Sequence, residues 1–287
     1  LGGEWTWRLV FALNLPLGAV ALWILTARSQ PDAGRPGAPV DWGGAALATA
    51  GLLALAWGLT RPGQWPLAAA GIAIFGLFLL CQARAPAPMM PLALFRSRAF
   101  SAANGLTFAL YFALSTMLFY VPMALIGGWG VSEAATATAF APLALLVGTL
   151  SGPAGRVADR VGPAPPIVAG ALTAAAGYAA LALTAPEANY WGRALPALGV
   201  VGLGMAMLVA PLSAAVMGAV EDMQAGAASG VNNAVTRMSG LIAVAAMGGV
   251  AAAAYGAAGG PASFGETSAA TGHLDATNAA LATLAWT

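Results

Sequence analysis

An aspartate held between two arginines, with glycines on either side, is the densest polar grouping in this chain: Gly152-Pro153-Ala154-Gly155-Arg156-Val157-Ala158-Asp159-Arg160-Val161-Gly162. Glycines allow a tight turn and close helix approach, and an acid and bases near helix ends meet the partial charges there. Such a set can latch one arrangement of a helix bundle and then release it; the same residues would also serve as a solvated turn. A second grouping sets Asn232 and Asn233 before Arg237, which suits either a snorkelling arginine or a transport path. In a third, Asn104, Phe108, Tyr111 and Ser115 recur at spacings that place them on one helical face, lining a cavity or packing against another helix. His273 and Asp275 lie in a Gly/Thr-rich stretch without a second base and read as loop residues. The single cysteine, Cys81, excludes an internal disulfide framework and a cysteine-ligated zinc site. With no lysine and one histidine, acid–base catalysis has little material, so the chain reads as no enzyme and calls for no cofactor or metal.

The elements that position these groups follow from composition. Of the 287 residues, 60% are hydrophobic and only 7% charged, against about 25% charged in soluble domains. A net charge of +1 gives no electrostatic footprint for nucleic acid. The surrounding medium is therefore the lipid bilayer. A spanning helix needs about 20 mostly apolar residues, and such segments fall near 9–27, 42–60, 65–83, 102–126, 134–153, 165–185, 194–216 and 234–254, with a ninth starting near 279. Outer-membrane strands would alternate in polarity, and these segments do not. The expected fold is all-α and membrane-embedded: about eight transmembrane helices plus the start of a ninth. Glycines at 199, 202 and 204, with Pro211, permit close packing and bending of the seventh span. Met205, Met207 and Met217 suit core packing or a promiscuous apolar site.

Arginines set the orientation. With residue 1 outside, the inner side holds Arg28, Arg35, Arg84, Arg96, Arg98, Arg156, Arg160 and Arg237, and the outer side Arg8, Arg61 and Arg193. That asymmetry follows the positive-inside rule and makes loops 28–41, 84–98 and 154–163 cytoplasmic. Tryptophans at 5, 7, 42, 65, 129 and 191 sit near span ends, as interfacial aromatics do. Residues 255–278 form the longest outer loop. The chain opens and closes without natural-looking termini, so it is expected to be a piece of a longer polytopic protein.

Within the polar grouping, Gly155, Asp159, Arg160 and Gly162 match a G-x-x-x-D-R-x-G spacing. It resembles the cytoplasmic loop motif of the major facilitator superfamily, with Pro163 and Ala164 in place of its trailing basic residues. Other stretches resemble one branch of that superfamily, the fourteen-span drug:proton antiporters of the EmrB/QacA type. Trp7-Arg8-Leu9-Val10-Phe11 with Asn14, Pro16 and Gly18 is similar to the opening of that branch's sixth span, and Asp41-Trp42-Gly43-Gly44 to the start of its seventh. Pro91-Leu92, Leu94-Phe95 and Phe100 resemble the lead-in to the ninth, and Ser229-Gly230, Asn232, Arg237 and Gly240 a stretch of the thirteenth. The eight spans would then be the sixth to the thirteenth.

The resemblance implies a partial major facilitator helical bundle in a cell membrane. Residues 1–41 would be the last span of the N-terminal half and its loop, 42–98 a two-helix linker hairpin and loop, and 99–287 the C-terminal half. It also implies proton-coupled export of drugs or other amphipathic small molecules by alternating access, with a monomer as the intact transporter. Gly155, Arg156, Asp159, Arg160 and Gly162 would form the cytoplasmic gate. Asn104, Phe108, Tyr111, Ser115, Asn233 and Arg237 are candidates for the substrate pathway. The branch's proton-coupling acid commonly lies in the first span, outside this sequence. A same-fold transporter of an endogenous metabolite, or a truncated protein that moves nothing, remain the alternatives.

Overall fold

A computed structural model describes residues 12–28, 41–61, 63–260 and 274–286. Residues to Val40 and residues from Asp41 form two separate compact units. In the first, α1 (Asn14–Arg28, 15 residues) takes in residues 14–27 of the expected first span. Its Arg28 lies in the last turn, where a cation favours the helix dipole. Most of the cytoplasmic loop expected after it lies outside the described residues.

The described residues of the second unit are helices joined by short connections. It contains α2 (Trp42–Thr60), α3 (Trp65–Arg84), α4 (Arg98–Met123), the short α5 (Glu133–Thr138), α6 (Ala141–Val161), α7 (Ala164–Thr184), α8 (Leu195–Gly218), α9 (Ala225–Ala257) and α10 (Leu274–Trp286). Among the described residues, seven segments are long and apolar enough to cross a membrane. They correspond to the second to eighth spans expected from the sequence. In lipid every backbone N–H and C=O must be satisfied internally, which is why each apolar run becomes a helix. Side chains cap three of these α-helix starts: Ser97 accepts from the Phe100 amide at 3.3 Å, Asp41 from the Gly44 amide at 2.7 Å and Ser132 from the Ala135 amide at 3.3 Å.

Small residues decide which helices touch. α2 and α3 form a tight hairpin, and a Cβ at Gly58 would come within 2.6 Å of the Ala68 Cα, one at Gly71 within 2.8 Å of the Leu55 Cα. α7 packs on α8 through Gly170, Gly177 and Gly204, and α6 on α8 where Gly202 meets Leu143. Such small-residue seams replace the hydrophobic drive that lipid cannot supply. α4 and α9 are bonded as well as packed. The fully buried Ser239 donates to the Phe108 carbonyl at 2.5 Å, and the Tyr120 hydroxyl donates to the Val244 carbonyl.

Helix ends depart from the expected spans. The expected inner loop 154–163 is mostly helix, because α6 continues through Val161 and only Gly162 and Pro163 link it to α7. α9 begins at Ala225 rather than near 234, and α10 begins at Leu274. Asp275 is therefore a helix residue and not part of the expected 255–278 loop; His273 lies outside the described residues. The 84–98 connection holds a 3-10 turn, Leu92–Arg96.

A polar clasp anchors that connection. The Asp41 carboxylate accepts from Gln82 Nε2 at 2.6 Å, and Gln82 Oε1 accepts from the Met90 amide at 3.0 Å. The Gln82 bond first, and the Gly44 amide second, hold the Asp41 carboxyl below its ordinary value of 3.8. A depressed acid stabilises the fold above its ordinary pKa and loses that contribution as pH falls through the folded value. Asp41→Asn is thus expected to lower the melting temperature at neutral pH, with the deficit shrinking as pH falls below the ordinary carboxylate value of 3.8. Melting curves of both proteins across that range test this; a deficit constant with pH would sink it.

Candidate functional site

The polar grouping occupies the last turns of α6. Gly155, Asp159 and Gly162 lie at intervals of four and three, so they share one face. Gly155 sits 3.9 Å, by its would-be Cβ, from the Ala210 methyl of α8. Ala158 is buried, while Arg156, Asp159 and Arg160 are exposed. Gly162 ends the helix at φ +86°, in the left-handed region that glycine enters without a Cβ clash. Among the described residues the ion pair is Arg193–Glu187, so Asp159 holds neither neighbouring arginine here. Its carboxylate and the two guanidinium groups stand free at one end of the bundle.

The face Asn104–Phe108–Tyr111–Ser115 lies on α4, as its spacing predicts, but its members meet different neighbours. Asn104 is buried, donates Nδ2 to its own Phe100 carbonyl at 3.0 Å and leaves Oδ1 without a partner. Phe108 accepts the Ser239 bond through its backbone, and Ser115 abuts Gly240, where a Cβ would lie 2.9 Å from its hydroxyl. Tyr111 instead lines a groove of about 540 Å³ between α4, α6 and α8, with Phe140, Val147 and Met205. The structure thus brings Tyr111 together with Met205, while Phe108 and Ser115 meet α9.

Asn233 and Arg237 are exposed on α9. Arg237 is not at the helix start: twelve residues of α9 precede it. The stretch from Arg237 to Ala257 rises roughly 30 Å, the thickness of a hydrocarbon core, which suits an arginine at one boundary of the membrane. Sequence reasoning missed Ser239 and Tyr120, whose hydroxyls join α4 to α9. Polar side chains inside an apolar run were the signal for them. It also missed a second cavity, about 290 Å³, where Thr116 and Tyr120 of α4 face Tyr178 of α7 and Leu281 and Leu284 of α10. The buried Tyr178 hydroxyl has no hydrogen-bond partner there.

Among the described residues, the chain is thus a bundle of membrane-length helices with glycine seams, an apolar groove and a charged turn at one helix end, as expected of a membrane-embedded helical bundle. Comparison with known proteins agrees. The chain is 32% identical over 252 residues to an uncharacterised MFS-type transporter of Mycobacterium tuberculosis, covering 84% of this chain and 43% of that protein. It is 29% identical over 268 residues to the multidrug resistance protein Stp of the same species, covering 88% and 49%. To the tetracenomycin C resistance and export protein of Streptomyces glaucescens it is 29% identical over 254 residues, covering 84% and 46%. The chain spans about half the length of these curated relatives. Residues 1–245 match the family model of the Major Facilitator Superfamily, and the chain belongs to that superfamily.

Proposed function

We propose that this chain is part of a secondary active exporter that drives amphipathic small molecules out of the cell with the proton gradient. The groove between α4, α6 and α8 carries the reading: it is large enough for a drug-sized group and apolar, and Tyr111 supplies one polar handle. Ligand sites are typically apolar clefts with few placed polar groups, and Met205 adds a side chain that adapts to varied shapes. Several relatives are named for resistance or export, which supports the substrate class. The protein would be of the fourteen-span antiporter type, in the plasma membrane with residue 1 outside. Residues 42–98 would be the linker hairpin and 99–287 the C-terminal half, and the two halves would rock about a midplane site. Asp159 with Arg156 and Arg160 would bias the inner gate.

The test is ethidium accumulation in cells that express the gene encoding this chain, against cells lacking it. Lower accumulation that an uncoupler abolishes is the expected result; equal accumulation overturns the reading. Gly148 offers a variant specific to the groove, because a Cβ there meets nothing within 4 Å and leucine suits a helix better than glycine. Gly148→Leu is expected to fill the groove and cut ethidium efflux about tenfold at unchanged melting temperature. Unchanged efflux would remove the groove from the pathway.

A further inference from the structure

The end of the bundle away from Asp159 carries a site of a different kind. α6 separates the two ends by roughly 30 Å, with residues 129–138 leading into its start. There Trp129, Tyr190, Trp191 and Glu187 line a depression of about 610 Å³. Its backbone is irregular on both sides. The π-helical turns Ala124–Gly128 and Tyr190–Ala194 border it, and Ala188, at φ +46°, is the one non-glycine with positive φ among the described residues. Wide helical turns and left-handed residues collect at binding sites.

The side chains supply the chemistry. Trp129 donates Nε1 to Asn278 Oδ1 at 2.7 Å, and the Tyr190 hydroxyl donates to the Ala135 carbonyl at 2.6 Å, so both rings are held in place. Trp191 stands edge-on to Tyr190, centroids 4.9 Å apart, and is 65% exposed. Beside them Glu187 holds the Arg193 Nε at 2.9 Å, each side chain about half exposed. A planar, delocalised cation already rests on this carboxylate, which lines the depression together with the three aromatic side chains. A pair so exposed contributes little to stability, which makes Arg193 an occupant that is readily displaced. A tryptophan serving only as a membrane anchor needs neither the carboxylate nor the fixed rings.

We propose that this depression binds aromatic organic cations, which displace Arg193 from Glu187 and stack on Trp191. The site is separate from the groove between α4, α6 and α8, and it goes beyond the export reading, since binding here needs no gradient.

The experiment is an ethidium fluorescence titration of this chain in lipid nanodiscs, without a proton gradient and at low salt. Glu187→Gln is expected to weaken binding about threefold or more, and Trp191→Ala to weaken it by a similar factor, with Trp191→Phe recovering part. Arg193→Gln is expected to tighten binding about threefold, because it frees the carboxylate. Raised salt is expected to weaken the wild type. Glu187→Gln and Arg193→Gln shifting affinity in the same direction, or neither shifting it, overturns the proposal. Both side chains are half exposed, so melting curves of the variants should match the wild type and the opposite signs report on binding. Loss of ethidium efflux in cells, by contrast, bears on the export reading.

Discussion

Asp159→Asn is expected to reach the membrane at the wild-type level and to export about tenfold more slowly. The geometry separates these two outcomes. Asp159 is the third-last residue of α6 and is exposed. A negative charge in the last turn opposes the helix dipole, whereas Arg160 favours it. Neutralising Asp159 therefore does not weaken α6 and has no reason to unfold the bundle. With no ion pair here, the carboxylate is available to a cation that approaches in another arrangement of the helices. An asparagine of the same shape removes that bond and shifts the balance between arrangements. Efflux assays alongside quantified membrane protein test this. Normal efflux at normal expression would sink the gating role, and Asp159→Glu should retain part of the rate.

Gly204→Val is expected to destabilise the protein by about 3 kcal/mol or more, at the upper end of overpacking effects. At this position a Cβ would stand 2.6 Å from the Gly170 carbonyl oxygen and 2.8 Å from the Ala174 Cα. Both are backbone atoms of α7, so no side chain can swing aside; the helices themselves must separate. Gly199, one turn earlier on α8, is the natural control, because its Cβ would meet only the Pro142 Cβ at 4.0 Å. Gly199→Val should melt within a few degrees of the wild type, by about the cost of one exposed helical substitution. Fluorescence-detected melting in detergent compares the two variants, and equal melting points would refute the close-approach account.

The spans were legible because length and apolarity are all that a membrane crossing demands, and α2 to α4 begin and end close to where the apolar runs do. Helix ends were less legible at α6 and α9. Polar residues mark where a chain leaves lipid, but backbone hydrogen bonds do not stop there, so α6 runs on through Arg156 and Asp159 and α9 starts well before Arg237. The spacing of Asn104, Phe108, Tyr111 and Ser115 puts them on one face of α4. It could not say what that face meets, because in lipid every side of a helix is apolar and periodicity loses its contrast. The glycines at 199, 202 and 204 announced close approach, yet only packing shows that Gly202 approaches α6 closely, Gly204 approaches α7 closely and Gly199 reaches α6 only at ordinary contact distance. The aromatic depression was hidden for another reason. Trp129 and Trp191 lie far apart in the chain, and each alone reads as an interfacial anchor.

The hairpin of α2 and α3 has a consequence for how its gene can change. Every missense base change in a glycine codon adds at least one carbon to the residue. At Gly58 and Gly71 that carbon has no room, since the facing backbone occupies its place. Drift at these codons is thus confined to the silent third base unless the two helices separate, while neighbouring lipid-facing codons such as those of Leu53 and Ile72, both more than 60% exposed, can exchange one apolar residue for another. Variation among natural copies of this gene should therefore be distributed by helix face rather than by distance from the groove.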